Sequence, residues 1–336
     1  MTVAMTVKTI RWGMIGCGSV CEVKSGPGFY KALHSTLLAA ASSDPERTRS
    51  YAARHGVPRV YDSAEALVQD PDVDAVYIAT PPVSHKPLAL LAARAGKHVY
   101  VEKPMALRFD ECAEIIAECR RVDRRLFVAF YRRALPRFLQ VKAWIDEGAI
   151  GTVRCVTVLQ HQSPEPDELS PATLPWRVKP EIAGGGKFLD MGVHVFDFLD
   201  FVLGPVVDVH GIASNQGGLY DAEDTVSASW RHEGGAMGSG SWCYVAGGNL
   251  DRVEIVGASG RIEFDFFAAT PLSLTTAEGT RQVSIPNPPH VQQPFIQSIV
   301  DDLNGGPACP GTPESAARSS QVADRILREY RRQRGF

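Results

Sequence analysis

The sequence predicts an α/β first half built on a parallel sheet, followed by an α+β second half dominated by a mostly antiparallel sheet with few helices. Three observations predict it. Between Thr9 and about Phe130, short apolar runs alternate with helical patterns, the signature of strands joined by crossover helices. From near Gly151 the rhythm changes to strand-like runs separated by turn signals such as Glu233-Gly234-Gly235 and Ala258-Ser259-Gly260. At 336 residues the chain exceeds one ordinary core and suits two, so we expect a first domain over 1–130 and a second over 131–336.

The first expected strand, Ile10–Ile15, runs into Gly16-Cys17-Gly18-Ser19-Val20-Cys21. Gly16 permits a tight turn, and Gly18 lets backbone amides approach a pyrophosphate at the start of a helix. Cys21 stands where a third glycine or alanine is usual and is small enough for close packing. A glycine turn alone fits any strand-to-helix link; its place after the first strand of a βαβ unit points to a dinucleotide. The continuation Glu22-Val23-Lys24-Ser25-Gly26-Pro27 is unusual for such a turn.

The next strand, Leu37–Ala41, ends at Ser42-Ser43-Asp44-Pro45-Glu46-Arg47. A carboxylate at that strand end would grip both ribose hydroxyls of NAD, but serines stand there. Ser42 and Ser43 can donate to a 2'-phosphate and Arg47 can neutralise it, which favours NADP over NAD. Asp44 reads either as the N-cap of the Pro45–His55 helix or as the missing ribose ligand.

A helix over Ala64–Val68, a strand over Ala75–Ala79 and a helix over Lys86–Ala95 follow. Strand His98–Val101 then delivers Glu102-Lys103-Pro104 to the carboxyl edge of the sheet, where ligands bind in such folds. There Lys103 can trade protons with a substrate hydroxyl, although Lys-Pro is also an ordinary strand exit. Helix Asp110–Arg121 and strand Leu126–Ala129 close the first half.

In the second half, strands are expected over Val153–Gln160, Val206–Ala213, Thr225–His232, Met237–Tyr244, Arg252–Val256 and Arg261–Phe266, with helices over Lys187–Leu203, Pro294–Leu303 and Pro313–Arg332. The segment Ser163–Gly186 carries five prolines and ends in Gly184-Gly185-Gly186, too long for a mere connector and suited to covering a site. After it, Asp190, His194 and Asp197 are spaced to share one helix face. An aspartate one turn before a histidine can hold the imidazole and raise its basicity, so His194 can protonate a carbonyl or accept a hydroxyl proton. The competing reading is a capped helix with a surface salt bridge.

The formal charge of -3, without a long single-sign block, gives no reason to seek nucleic acid or anionic lipid. The arginines at 325, 328, 331, 332 and 334 read as a solvated helix end. Seven scattered cysteines without a CxxC pair suggest neither a disulfide framework nor a zinc site. No signal-like segment or membrane-length apolar run is present, so a soluble cytoplasmic protein is expected. Met5 is a candidate alternative start.

Taken together, the GxGxx turn, Ala79-Thr80-Pro81-Pro82 with His85, Glu102-Lys103-Pro104, and GGGxxxDxGxHxxD resemble the glucose-fructose oxidoreductase, inositol dehydrogenase and rhizopine-catabolism (Gfo/Idh/MocA) family, in order and over nearly the whole chain. The resemblance implies a doubly wound Rossmann domain followed by a substrate-binding domain whose large open sheet makes homodimers or homotetramers. It implies an NAD(P)-dependent dehydrogenase or reductase acting on CH–OH groups of a sugar, cyclitol or polyol. By the same resemblance Lys103 is the catalytic lysine, His194 the general acid or base, and Asp190 a substrate ligand. Gly16, Cys17, Gly18, Ser19, Val20, Ala79, Thr80, Pro81, His85 and Glu102 are expected along the dinucleotide, and Trp176 and Arg177 on the substrate, where packing and a surface charge are the plainer readings. Phe130-Tyr131-Arg132-Arg133 departs from the polar residue many relatives carry, so Tyr131 and Arg133 are expected on the substrate, in a pocket differently shaped or more cationic. Two alternatives remain open: an NAD-assisted glycosidase with transient oxidation, and a non-catalytic dinucleotide or ligand sensor.

Overall fold

A computed structural model describes residues 7–336; Met5 lies outside them. The chain forms two compact units. Of the described residues, the first takes in 7–106, 110–135 and 288–314; the second takes in 107–109, 136–287 and 315–336. The sequence reading divides the chain once, whereas these units interleave.

The first unit is built on β1 (Ile10–Ile15), β2 (Ser35–Ala41), β3 (Arg59–Tyr61), β4 (Ala75–Ile78), β5 (His98–Val101) and β6 (Leu126–Val128). All pairings are parallel, in the order β3-β2-β1-β4-β5-β6, the doubly wound arrangement. Every residue of β4 is buried, as expected of a central strand covered on both faces. Trp12, Phe29, Tyr77 and Tyr100 form a buried aromatic cluster, with Phe29 4.9 Å from both Trp12 and Tyr77. The three-residue β3 is too short to leave a pattern and escaped the sequence reading.

The unusual stretch after the glycine turn has a structural counterpart. The helix breaks into Ser19–Val23 and Gly26–Lys31. Pro27 has no N–H to offer the Val23 carbonyl, so a continuous helix would lack that bond. The freed carbonyls are satisfied from far along the chain: His290 Nδ1 donates to Val23 O at 2.8 Å, and the Gln292 amide donates to Lys24 O at 3.0 Å.

The second unit contains β7 (Val153–His161), β8 (Val206–Ser214), β9 (Thr225–His232), β10 (Met237–Cys243), β11 (Leu250–Gly257), β12 (Gly260–Phe264), β13 (Leu272–Thr276) and β14 (Gly279–Val283). They form one eight-stranded sheet in the order β14-β13-β12-β11-β7-β10-β9-β8, antiparallel except where β10 runs parallel to β7. Along β9, Val226, Ala228, Trp230 and His232 are buried while Ser227, Ser229 and Arg231 are exposed, so one face is covered and the other open. The Lys187–Leu203 helix covers it: Phe188 and Phe196 lie 5.0 Å from Trp242 and Trp230, respectively. Phe138, from a Pro136–Asp146 helix not expected from the sequence, meets Phe198 edge-on at 5.0 Å. The opposite face carries Ser227, Ser229 and Ser239 with Ile212, which is 78% exposed.

The C-terminal helix, Pro313–Arg334, corrects one expectation. Its arginines are not all solvated: Arg331 is 3% exposed, pairs with Asp324 at 2.6 Å and donates to the Gly184 carbonyl at 2.9 Å. Among the described residues no helix is long and apolar enough to cross a membrane.

Candidate functional site

In the first unit the glycine turn separates two requirements that sequence alone merges. Gly16 has a φ of +96°, and a Cβ there would lie 2.7 Å from the Ala79 carbonyl oxygen. Only glycine fits without strain. Gly18 has an ordinary φ of −82°, and a Cβ there would meet nothing within 4 Å. The fold does not demand that glycine. The open space is a cradle suited to a phosphate, and Ser19 and Val20 beside it are exposed and half-buried. Cys21 is fully buried with its Sγ 3.3 Å from the Gly16 carbonyl, so it fills the close-packing position. Burial pushes the Cys17 thiol up to about 11, which leaves its backbone as its contribution at neutral pH.

At the end of β2, Asp44 caps the Pro45–His55 helix, its carboxylate accepting from Arg47 N at 3.0 Å. Ser42 bonds Thr48 Oγ1 at 2.6 Å, while Ser43 is exposed and Arg47 pairs loosely with Asp44 at 3.5 Å. The N-cap reading of Asp44 is realised through Oδ1, while Oδ2 faces Arg47.

The loops after β4 and β5 are joined by His85. Its imidazole is fully buried, with Nδ1 2.8 Å from the Pro104 carbonyl and Nε2 2.8 Å from the Thr80 carbonyl. Burial holds its pKa below the usual histidine value. The neutral ring has one N–H, so it donates to one of these carbonyls at a time while packing between the two loops. The Thr80 hydroxyl is buried and has no hydrogen-bond partner among the described residues, which suits a group awaiting a ligand. Pro81 and Ala79 are half-buried beside it.

Glu102 points inward. Its Oε1 accepts from Tyr77 OH and from Gln292 Nε2, both at 2.7 Å, and its Oε2 accepts from the Lys103 amide at 3.2 Å. Lys103 itself is half-buried at the carboxyl end of β5. Further along, Tyr131 and Arg133 are buried, and Arg133 Nη1 donates to the Pro310 carbonyl at 3.2 Å.

In the second unit the glycine triplet is clamped from two sides. Gly186 N donates to Glu223 Oε1 at 2.8 Å, and Arg331 holds the carbonyl of Gly184, whose φ is +83°. Gly186 caps the Lys187–Leu203 helix, which presents Asp190 and His194. This helix is largely buried, with His194 5% and Asp197 1% exposed, so of the surface salt-bridge alternative only the half-buried Asp190 keeps a part. The His194 ring lies 6.4 Å from that of Phe267. Asp190 pairs with Arg177 at 3.5 Å, and the Arg177 guanidinium lies 4.4 Å from the centroid of the Trp176 ring. Three residues singled out from the sequence are thus neighbours: a flat aromatic face, a fork of donors and a carboxylate, the set that recognises hydroxyl-rich rings.

Sequence reasoning missed several supporting groups. Glu168 and Lys187 form a buried ion pair at 2.6 Å under the start of the helix. Gln292, Glu223 and Arg331 lie far in sequence from the motifs they support, while Tyr77 and Tyr100 sit on β4 and β5, where they read as core residues. Glu223 is fully buried, and burial raises its pKa to about 7 despite the Gly186 N–H. Because the folded value lies above the ordinary 4.5, the folded state favours the protonated form, and that stability is lost as pH rises from about 4.5 to 7. Glu223→Gln keeps the shape without titrating, so it should unfold at a higher temperature than wild type at pH 8, by about 1–3 kcal/mol, with little difference at pH 4.5. Parallel melting curves for both proteins across this range would remove Glu223 from the account.

A family model described as "Oxidoreductase family, NAD-binding Rossmann fold" matches residues 10–130, and one described as "GFO/IDH/MocA C-terminal domain" matches residues 138–263. The chain is 36% identical to Oxidoreductase P35 of Formosa agariphila over 94% of this chain and 97% of that protein. It is 30% identical to myo-inositol 2-dehydrogenase of Thermotoga maritima over 81% and 80%. Among solved structures, levoglucosan dehydrogenase in complex with NADH and levoglucosan superposes with a TM-score of 0.85 at 25% identity, covering 96% of this chain and 98% of that one.

Proposed function

The chain belongs to the GFO/IDH/MocA family of NAD-binding oxidoreductases, and on that premise we propose that it interconverts CH–OH and carbonyl groups on a sugar, cyclitol or related polyol. The observation that carries this reading is the pairing, on one sheet edge, of an open glycine cradle at Gly18 with Lys103 fixed beside a hydrogen-bonded Glu102. Gly16, Cys17, Gly18, Ser19 and Val20 would hold the pyrophosphate, and Ala79, Thr80 and Pro81 would line the same ligand. Ser42, Ser43 and Arg47, at the end of β2 where a strand-end carboxylate is missing, would donate to a 2'-phosphate, which favours NADP over NAD.

The bound nicotinamide supplies the hydride acceptor or donor. In the oxidation direction the substrate carbon loses a hydride and its hydroxyl loses a proton. Lys103 takes that proton at Nζ, and His194 serves as the second proton carrier on the substrate oxygens. Asp190 and Arg177 orient hydroxyls, and Trp176 offers its face to the ring. The relatives named for inositol and levoglucosan support a cyclic polyhydroxylated substrate. We place the activity in a reducing compartment, the cytoplasm, in keeping with seven scattered cysteines without a CxxC pair.

The test is titration with NADP and NAD, followed by nicotinamide absorbance with a panel of polyols, cyclitols and aldoses. Binding to NADP more tightly than NAD, with turnover on a ring polyol, is expected. Binding to neither nucleotide would sink the reading, and a retained cofactor with no net redox change would turn it toward glycosidic cleavage.

The open face of the eight-stranded sheet is further proposed to join copies into a homodimer or homotetramer, supported by its serine rows around exposed Ile212 and Met237. Light scattering should find Ile212→Glu smaller than wild type. A monomeric wild type removes this assembly.

A further inference from the structure

Gln292 lies more than 180 residues beyond Lys103, yet it is fully buried against the same strand end. Its side chain bridges two groups: Oε1 accepts from Tyr100 OH at 2.7 Å, and Nε2 donates to Glu102 Oε1 at 2.7 Å. The orientation is forced, because a carboxylate only accepts and therefore meets the amide nitrogen, leaving the amide oxygen for the tyrosine hydroxyl. The main chain of the same residue donates to Lys24 O, at the far end of the short helix that begins after Gly18. One residue thus holds, with its backbone, the helix that follows the glycine cradle and, with its side chain, the carboxylate whose other oxygen accepts from Lys103 N.

The neighbours reinforce both attachments. His290 Nδ1 donates to Val23 O at 2.8 Å, and Gly28 packs so close to the Gln293–Leu303 helix that a Cβ there would lie 2.7 Å from Ile296 Cδ1. Tyr77 gives Glu102 Oε1 its second donor, and Tyr77 and Tyr100 stack at 4.9 Å, so the carboxylate has no room to swing. A buried carboxylate depends on such donors.

We propose that Gln292 is a positioning residue that sets the separation between the glycine cradle and Lys103, so that the site is matched to a whole dinucleotide rather than to its adenosine half. This rests on the reading of those two places as the ends of one dinucleotide site. A ligand that spans both ends gains from a separation fixed before it binds, whereas one that reaches only the cradle does not.

The test compares ADP with NADPH. Gln292→Met keeps the side-chain length and the main-chain donor but removes both side-chain bonds. It should weaken NADPH roughly tenfold and lower kcat, while leaving ADP within about twofold of wild type. Tyr100→Phe removes only the hydroxyl that orients the amide and should shift the same ratio in the same direction by less; it carries the test if Gln292→Met does not fold. Equal loss of ADP and NADPH, or no loss of either, would show that Gln292 merely supports the fold and would overturn the inference. Should wild type bind neither nucleotide, the dinucleotide reading itself fails, and this inference with it.

Discussion

Lys103→Ala is expected to lower kcat by about 10²–10⁴ while leaving the dinucleotide dissociation constant within a few-fold of wild type. The expectation follows from where the side chain sits. The main chain of Lys103 is fixed by Glu102, whose carboxylate is held by Tyr77 and Gln292, so truncating the side chain leaves its support in place. What is lost is a proton carrier, which the reaction needs only while a hydroxyl proton is in transit. Lys103→Arg sharpens the test: it keeps a positive charge, yet a guanidinium does not give up its proton near neutral pH. If Arg restores turnover, the lysine acts by charge alone. If Ala turns over within fivefold of wild type, Lys103 has no part in the chemistry.

The second large effect comes from the two glycines of the turn, which should fail in opposite ways. Gly18→Val faces open space with an ordinary backbone, so the apo protein should keep its stability within about 1 kcal/mol. The new side chain fills the cradle, and affinity for NADP and NAD should fall about a hundredfold or more. Gly16→Ala should instead destabilise by about 2–4 kcal/mol, combining a left-handed backbone with a Cβ against the Ala79 carbonyl. Melting curves and nucleotide titrations of both variants read the contrast. A Gly18→Val protein that binds dinucleotide normally would move the phosphate site elsewhere.

Local patterns made much of this molecule readable. The first sheet announced itself because its strands are continuous apolar runs ending at loops, and Gly16, Gly18 and Lys103 lie at those ends. Trp176, Arg177 and Asp190 were readable as residue types but not as neighbours, since the bends that bring them together lie in an irregular proline-rich segment. β13 and β14 escaped because β14, Gly279–Val283, is almost wholly exposed and carries no alternation. Burial of the Lys187–Leu203 helix was masked by Asp190, Asp197 and Asp200, which look like a solvated face in sequence. Asp200 is instead a buried partner of Arg318 at 2.6 Å. Gln292 and Glu223 were invisible for the plainest reason: their partners stand 190 and 37 residues away.

The interleaving of the two units also dictates an order of events at the ribosome. The Rossmann sheet is translated first, but Phe295, Ile299 and the Gln292 bridge that complete its unit arrive only after the intervening 136–287 have been made. At the usual pace of synthesis that interval lasts roughly 8–30 s. Through it the nascent sheet must wait with Tyr100 and the Glu102 carboxylate lacking their last partner, a window in which chaperones would find it and after which the nucleotide-binding unit can close.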